Sequence, residues 1–222
     1  MTRVHVICEG QTEETFVTEV LADAFVQKEI YLIPALIGKP GHKGGNLRFQ
    51  RLLTDVRNRL LGDPSAWCTT FFDYYGLPAD FPGKDDAETK GTTDGRAECL
   101  LEEMSAQLER HLGVEAMRRF IPYIQMYEFE GLLFSHPKGL ADALGQPALD
   151  AEFQSIRNAF DSPESINNSP VTAPSKRIMK HFSAYDKPVY GSIAALEIGL
   201  STIRNECRRF DEWLNQIEAL AK

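Results

Sequence analysis

Four short apolar runs, each separated from the next by a stretch of helical periodicity, set what this chain can fold into. Val4–Cys8, Ile30–Ile37, Trp67–Phe72 and Phe120–Met126 are rich in β-branched and aromatic residues and have the length of strands. Between the first two, Phe16, Val17, Val20, Leu21, Ala24 and Phe25 recur at helical spacing, to about Glu29. Leu52, Leu53, Val56, Leu60 and Leu61 do the same over 47–61, and Ala97–Leu112 forms a third helix. The order β-α-β-α-β-α-β predicts a parallel sheet, because parallel neighbours need long crossovers and these cover both faces with helices. The expected fold class is therefore α/β: an open parallel sheet of about four strands with helices on both faces, plus a mostly helical C-terminal part. Residues 76–95 read as a long loop. Beyond Gly131 come short helical pieces, a polar stretch at 161–175 and a final helix from about Ala194 to Ala219. This suggests a core over 1–135 and a helical extension over 136–222 packed on or beside it, with a single domain as the alternative.

Composition narrows the function classes. The chain has 222 residues, 43% of them hydrophobic, enough to bury a sizeable core. No apolar run is long enough to span a bilayer, and no signal-peptide pattern opens the sequence. Cys8, Cys68, Cys99 and Cys207 form no CxxC pair and the five histidines no HExxH, which argues against zinc. The four cysteines lie far apart, Cys8 and Cys68 within apolar strand-like runs, which fits buried free thiols and a reducing, cytoplasmic setting. The net charge of −8 disfavours broad attraction to nucleic acid or anionic membrane. Yet residues 165–222 carry eight Lys/Arg against six Asp/Glu, so the acidity belongs to the rest of the chain. An acidic N-terminal part beside a mildly basic C-terminal part is compatible with a phosphate-bearing substrate.

In open α/β sheets ligands bind at the C-terminal ends of the strands. Glu9 leaves the first strand there, followed by Gly10 for a turn and by Thr12, Glu13 and Glu14 as a helix start with Thr12 the candidate N-cap. Helical side chains lean towards the helix N-terminus, so Glu13 can point back at Glu9. Asp73 leaves the third strand at the same edge. Three carboxylates without Cys or His partners suit a hard cation, Mg²⁺ or Mn²⁺. The bland reading is that Glu13 and Glu14 complement the helix dipole and Asp73 is a turn residue.

After the fourth strand, Glu128 and Glu130 bracket Phe129; on extended chain they would share one face and meet the metal or a cation such as Arg177. A helix start near Glu130 is the alternative. Lys176 and Arg177, with Lys180 and His181, form the best basic cluster, able to contact phosphate or hold Glu128 or Glu130. The glycine-rich 38–46 segment lacks GxxxxGK[ST], although Lys39, His42 and Lys43 could touch phosphate.

Glu9-Gly10-Gln11-Thr12-Glu13, Phe72-Asp73-Tyr74-Tyr75-Gly76-Leu77-Pro78, Tyr127-Glu128-Phe129-Glu130-Gly131-Leu132-Leu133-Phe134 and Pro174-Ser175-Lys176-Arg177-Ile178 together resemble the DUF4276 family, over most of the chain. The resemblance implies a Toprim-like fold, related to the Toprim part of OLD-type nucleases. Toprim domains bind Mg²⁺ through a glutamate after the first strand and an Asp-x-Asp after the third; the OLD-like variant adds a second acid to the first motif. By this resemblance Glu9, Glu13 and Asp73 hold metal, Glu128 or Glu130 completes the shell or acts as base, and Lys176 or Arg177 stabilises charge on phosphate. Tyr75 stands where the second aspartate would be, a departure that removes one ligand. The implied function is a metal-dependent nuclease acting on nucleic acid, in a phage-defence or DNA-processing complex. OLD-type proteins carry an ATPase, and this sequence has no ATPase motif, so a separately encoded ATPase is the implied partner. The alternative is a non-catalytic Toprim-like module serving such an ATPase. A receiver-like phospho-acceptor, with Asp73 modified and Lys187 as its lysine, is a third reading.

Overall fold

The computed structural model describes residues 1–38, 47–167 and 169–221; Lys39, His42 and Lys43 lie outside them. Strand β1 (Thr2–Cys8) leads into α1 (Gln11–Phe16), which runs through a π-helical turn at Val17–Leu21 into α2 (Ala22–Val26). Then follow β2 (Ile30–Leu36), α3 (Phe49–Gly62), β3 (Trp67–Phe71), α4 (Lys84–Glu88), α5 (Thr93–Leu112), α6 (Val114–Met117) and β4 (Phe120–Ile121). The remainder is helical: α7 (Pro137–Ala143), α8 (Asp150–Asn158), α9 (Pro174–His181), α10 (Lys187–Ile198), α11 (Leu200–Glu206) and α12 (Arg208–Glu218). The sheet order is β2-β1-β3-β4 and all pairs are parallel. The expected α/β architecture is the one observed.

The fourth strand is shorter than its apolar run because Pro122 has no N–H to give to a ladder. The Thr70 hydroxyl patches the gap, donating to the Tyr123 carbonyl at 2.7 Å and accepting from the Tyr123 N–H at 3.0 Å. Pairing resumes where Gln125 N–H meets the Phe72 carbonyl and Tyr75 N–H meets the Tyr127 carbonyl. The chain thus stays beside β3 as far as Tyr127. Two other expectations change. The first helix is capped by Gly10, not Thr12, and Thr12 is already inside it. The single final helix is three: positive φ at Gly199 and a non-helical Cys207 break it. The 76–95 stretch also holds α4 and the start of α5.

Side-chain alternation along β1 supplies both faces of the sheet. Val4, Val6 and Cys8 face a cluster with Phe16, Phe129, Phe210 and Trp213. Ile7 faces the other, with Leu52 of α3 and Leu100 and Met104 of α5. Each such buried side chain contributes about 1.5–3 kcal/mol. The first cluster ties the C-terminal helices to the sheet: Trp213 stacks on Tyr123 at 4.4 Å and donates its Nε1–H to the Thr69 hydroxyl at 2.8 Å. Buried Glu164 accepts from the N–H groups of Arg209 and Phe210, both at 3.0 Å, holding the start of α12. Among the described residues no helix is long and apolar enough to cross a membrane. Cys8, Cys68 and Cys207 are buried free thiols.

Candidate functional site

Parallel pairing of β1 with β3 delivers Glu9 and Asp73 to one edge of the sheet. The Glu9 N–H donates to the Phe71 carbonyl at 3.2 Å, so Glu9 still belongs to the ladder. Its Oε2 accepts from the Asp73 N–H at 3.1 Å. Its carboxylate lies over Gly76, where a Cβ would come within 2.1 Å of Oε1, so any larger residue there must push the Glu9 carboxylate aside. Glu13, on the first turn of α1, accepts from the Gly10 N–H at 2.8 Å. Asp73 Oδ1 accepts from the Phe129 N–H at 2.8 Å, which brings the third motif onto the first two. Each of the three carboxylates is therefore pinned by a main-chain amide, and Glu13 and Asp73 are buried.

The third motif turns sharply before it reaches them. Tyr127 has φ +64°, uncommon for a residue with a Cβ and of the order of 1 kcal/mol or more in strain. Glu128 then caps a 3-10 turn over Phe129–Ser135, so the chain is not extended between the two glutamates. They nevertheless converge on one cation, Lys187, at 3.5 Å from Glu128 and 3.1 Å from Glu130. Glu128 also accepts from the Ser175 N–H at 2.9 Å, and Glu130 from the Tyr185 hydroxyl at 3.4 Å. Glu130 is 0% exposed, while Lys187 keeps 38% of its side chain in solvent.

Lys187 is the cation that sequence reasoning placed only in the receiver-like reading. It is the first residue of α10, capped by Asp186 and followed by Pro188. A lysine there opposes the helix dipole, and the two glutamates explain it. Arg177 was expected to meet Glu128 or Glu130; its Nε donates to the Thr172 carbonyl at 2.8 Å and its guanidinium lies 5.2 Å from the Phe160 ring centre. Lys176 and Arg177 line a cleft of about 170 Å³ with Glu152, Lys180 and His181. Tyr75 packs against Tyr74 and Tyr127, and its hydroxyl bonds to Asn167.

Electrostatics bind the acids into one unit. Burial raises the carboxyl of Glu9, against the Asp73 amide that stabilises its charge. Burial, then the charge of Glu9, pushes Glu13 up to about 7. Asp73 rises well above its ordinary value through burial and the charges of Glu13 and Glu9. Burial likewise lifts Glu130 to about 7, opposed by Lys187. Burial pulls Lys187 down, but Glu130, Asp73 and Glu128 outweigh it and raise it above its ordinary value, holding the ammonium charged. A divalent cation fits this donor set: hard oxygens only, and mutual repulsion for the ion to relieve. Among the described residues no group of three or more His, Cys, Asp or Glu side chains is arranged so that it could hold a metal ion as it stands, so an ion would have to draw the three carboxylates together.

Comparison with known proteins bears on the fold. A solved structure described as the C-terminal region of the Burkholderia pseudomallei OLD protein is similar over the whole of both chains, at 14% identity and a TM-score of 0.50. At that identity the likeness speaks for the fold alone, and it agrees with the Toprim-like α/β arrangement. No curated protein gives a significant match. Residues 8–218 match the model of a domain of unknown function, DUF4276. The match takes in the Glu9, Asp73, Glu128 and Ser175 motifs together, and the chain belongs to the DUF4276 family.

Proposed function

We propose that this protein is a divalent-metal-dependent phosphodiesterase of Toprim type acting on nucleic acid. The observation that carries the reading is the amide-pinned trio Glu9, Glu13 and Asp73 at the C-terminal edge of the sheet, with the Lys187 ammonium close enough to shift Asp73. Glu9, Glu13 and Asp73 would hold Mg²⁺ or Mn²⁺. The chemistry such an ion supplies is polarisation of a phosphoryl oxygen and activation of water for in-line attack.

The remaining roles follow from how each side chain is held. Lys187, charged and with 38% of its side chain in solvent, stabilises negative charge developing on phosphate. This is the part first given to Lys176 or Arg177, which face a separate basic cleft suited to a flanking phosphate. Glu130, wholly buried between Lys187 and Tyr185, positions that lysine. Glu128, with 13% of its side chain exposed, is the carboxylate left to complete the metal shell or accept a proton.

The test is nicking of supercoiled plasmid with Mg²⁺ or Mn²⁺. Wild-type protein nicks and Glu9→Ala, with its fold intact, does not; equal nicking by both would remove the assignment.

Tyr75, in place of a second aspartate, favours a second reading: a non-catalytic module partnering a separately encoded ATPase. Val189, Ile193 and Leu196 leave an exposed apolar stripe on α10, which supports a partner surface. Co-purification with an ATPase, together with no divalent-ion binding, would select this reading over the first.

A further inference from the structure

The 3-10 turn Tyr74–Gly76 is a wall with two sides. On one side Gly76 carries Glu9. On the other side opens a cleft of about 500 Å³, lined among others by Tyr75, Lys84, Arg96, Tyr127, Asn167 and Ser169. None of these residues has a part in the metal chemistry above. Three tyrosine rings meet here, with centres 5.6–5.8 Å apart. Tyr74 and Tyr127 are buried and Tyr75 is half-buried, so Tyr75 is the ring that the cleft presents.

Two cations brace the rings. Lys84 Nζ sits 3.1 Å from the centre of the Tyr74 ring and donates to the Tyr74 carbonyl at 3.2 Å. Arg96 donates to the Tyr127 hydroxyl at 3.2 Å. Lys84 opens α4 and is nearly fully buried, its charge met by the Tyr74 ring and carbonyl and by Glu88 at 3.9 Å. The strained φ of Tyr127 holds its ring in this cluster while its successor, Glu128, goes to Lys187. One backbone turn on each of two segments thus sends an aromatic into the cleft and an acid into the metal site.

We infer that this cleft takes one unstacked base of a nucleic-acid strand whose phosphate lies at the Glu9–Asp73–Lys187 edge. An aromatic face accepts any base by stacking, and the Tyr75 hydroxyl is held by Asn167 at the rim of the cleft. A paired base cannot reach such a cleft without leaving the duplex, so single-stranded or flipped positions are the substrate. The replacement of a metal-binding aspartate by Tyr75 then exchanges one ligand for a base platform. This rests on the nucleic-acid reading above and adds where the base goes.

The experiment is fluorescence-anisotropy binding in Ca²⁺, with a labelled oligothymidylate and an abasic phosphodeoxyribose strand of equal length. Wild type should bind the oligothymidylate about tenfold or more tightly than the abasic strand. Tyr75→Ala should erase that preference and leave the abasic affinity unchanged, and Tyr75→Trp should keep it. Equal binding of both strands by wild type, or a preference that survives Tyr75→Ala, overturns the cleft assignment alone. Equal weakening on both strands in Tyr75→Ala, repeated in Tyr75→Trp, also overturns it, as a folding effect. Binding of neither strand by wild type overturns the nucleic-acid reading and the cleft with it.

Discussion

The Asp73 N–H donates to Glu9 Oε2 at 3.1 Å, tying the exits of two parallel strands through a carboxylate and not through the ladder itself. The contact fixes one lone pair of Glu9 on protein, and Gly76 leaves the room in which the whole carboxylate sits.

Gly76→Ala should therefore displace Glu9. The expected result is divalent-ion affinity about tenfold or more weaker, as when a ligand loses its supporting contacts, with far-UV circular dichroism unchanged. Isothermal titration with Mn²⁺ measures it, and undiminished affinity would show that Glu9 is not a ligand.

Lys187→Met leaves Glu130 buried without its cation. Removing one partner of a buried pair costs about 3–5 kcal/mol; because Lys187 is partly solvated, about 2 kcal/mol is expected in urea unfolding. Pairing it with Glu130→Gln should recover part of that loss, since the uncompensated charge goes too. Additive losses would mean that the two residues do not act as a pair.

Stability should depend on pH in an unusual direction. Glu13 and Glu130 have folded-state values of about 7 against an ordinary 4.5. A raised folded value means that the native state holds the proton more tightly. The contribution of these groups is fully present below about 4.5 and is lost as pH rises through about 7. Each ionised carboxylate then costs on the order of 3 kcal/mol, less where a cation offsets it. Without divalent ions the melting temperature should fall between pH 5 and pH 8. Mg²⁺ should restore it at pH 8 and do little at pH 5, and thermal scans at the two values check both effects.

Glu164→Ala frees the Arg209 and Phe210 amides at the start of α12. A loss of about 1–2 kcal/mol is expected, the size of a lost helix cap. Hydrogen exchange should rise first in α12; uniform loosening of the whole chain would show that Glu164 does more than cap.

The strand-helix alternation made the sheet readable, because the buried ends of β1 and β3 carry short runs of apolar and β-branched residues, Val6–Cys8 and Cys68–Phe71, each followed by helical spacing. Glu9, Glu13 and Asp73 were readable for the same reason, since residues just beyond parallel strands share one edge. Lys187 was not, because its partners Glu128 and Glu130 lie 59 and 57 residues away and no periodic pattern links them. The break at Gly199 was legible as a lone glycine in an apolar helix; the break at Cys207 was not, since nothing in a cysteine signals it. Pro122 marked the early end of β4, but the Thr70 patch is a tertiary contact that a linear reading does not reach.

The most direct measurement is an electron paramagnetic resonance titration of Mn²⁺ into wild-type protein and Asp73→Asn. The account predicts binding by wild type at neutral pH and its loss in Asp73→Asn, with the melting temperature of the variant equal or higher because a repelling buried charge is gone. No Mn²⁺ binding by wild type, or equal binding by the variant, would contradict a cation site built from Glu9, Glu13 and Asp73.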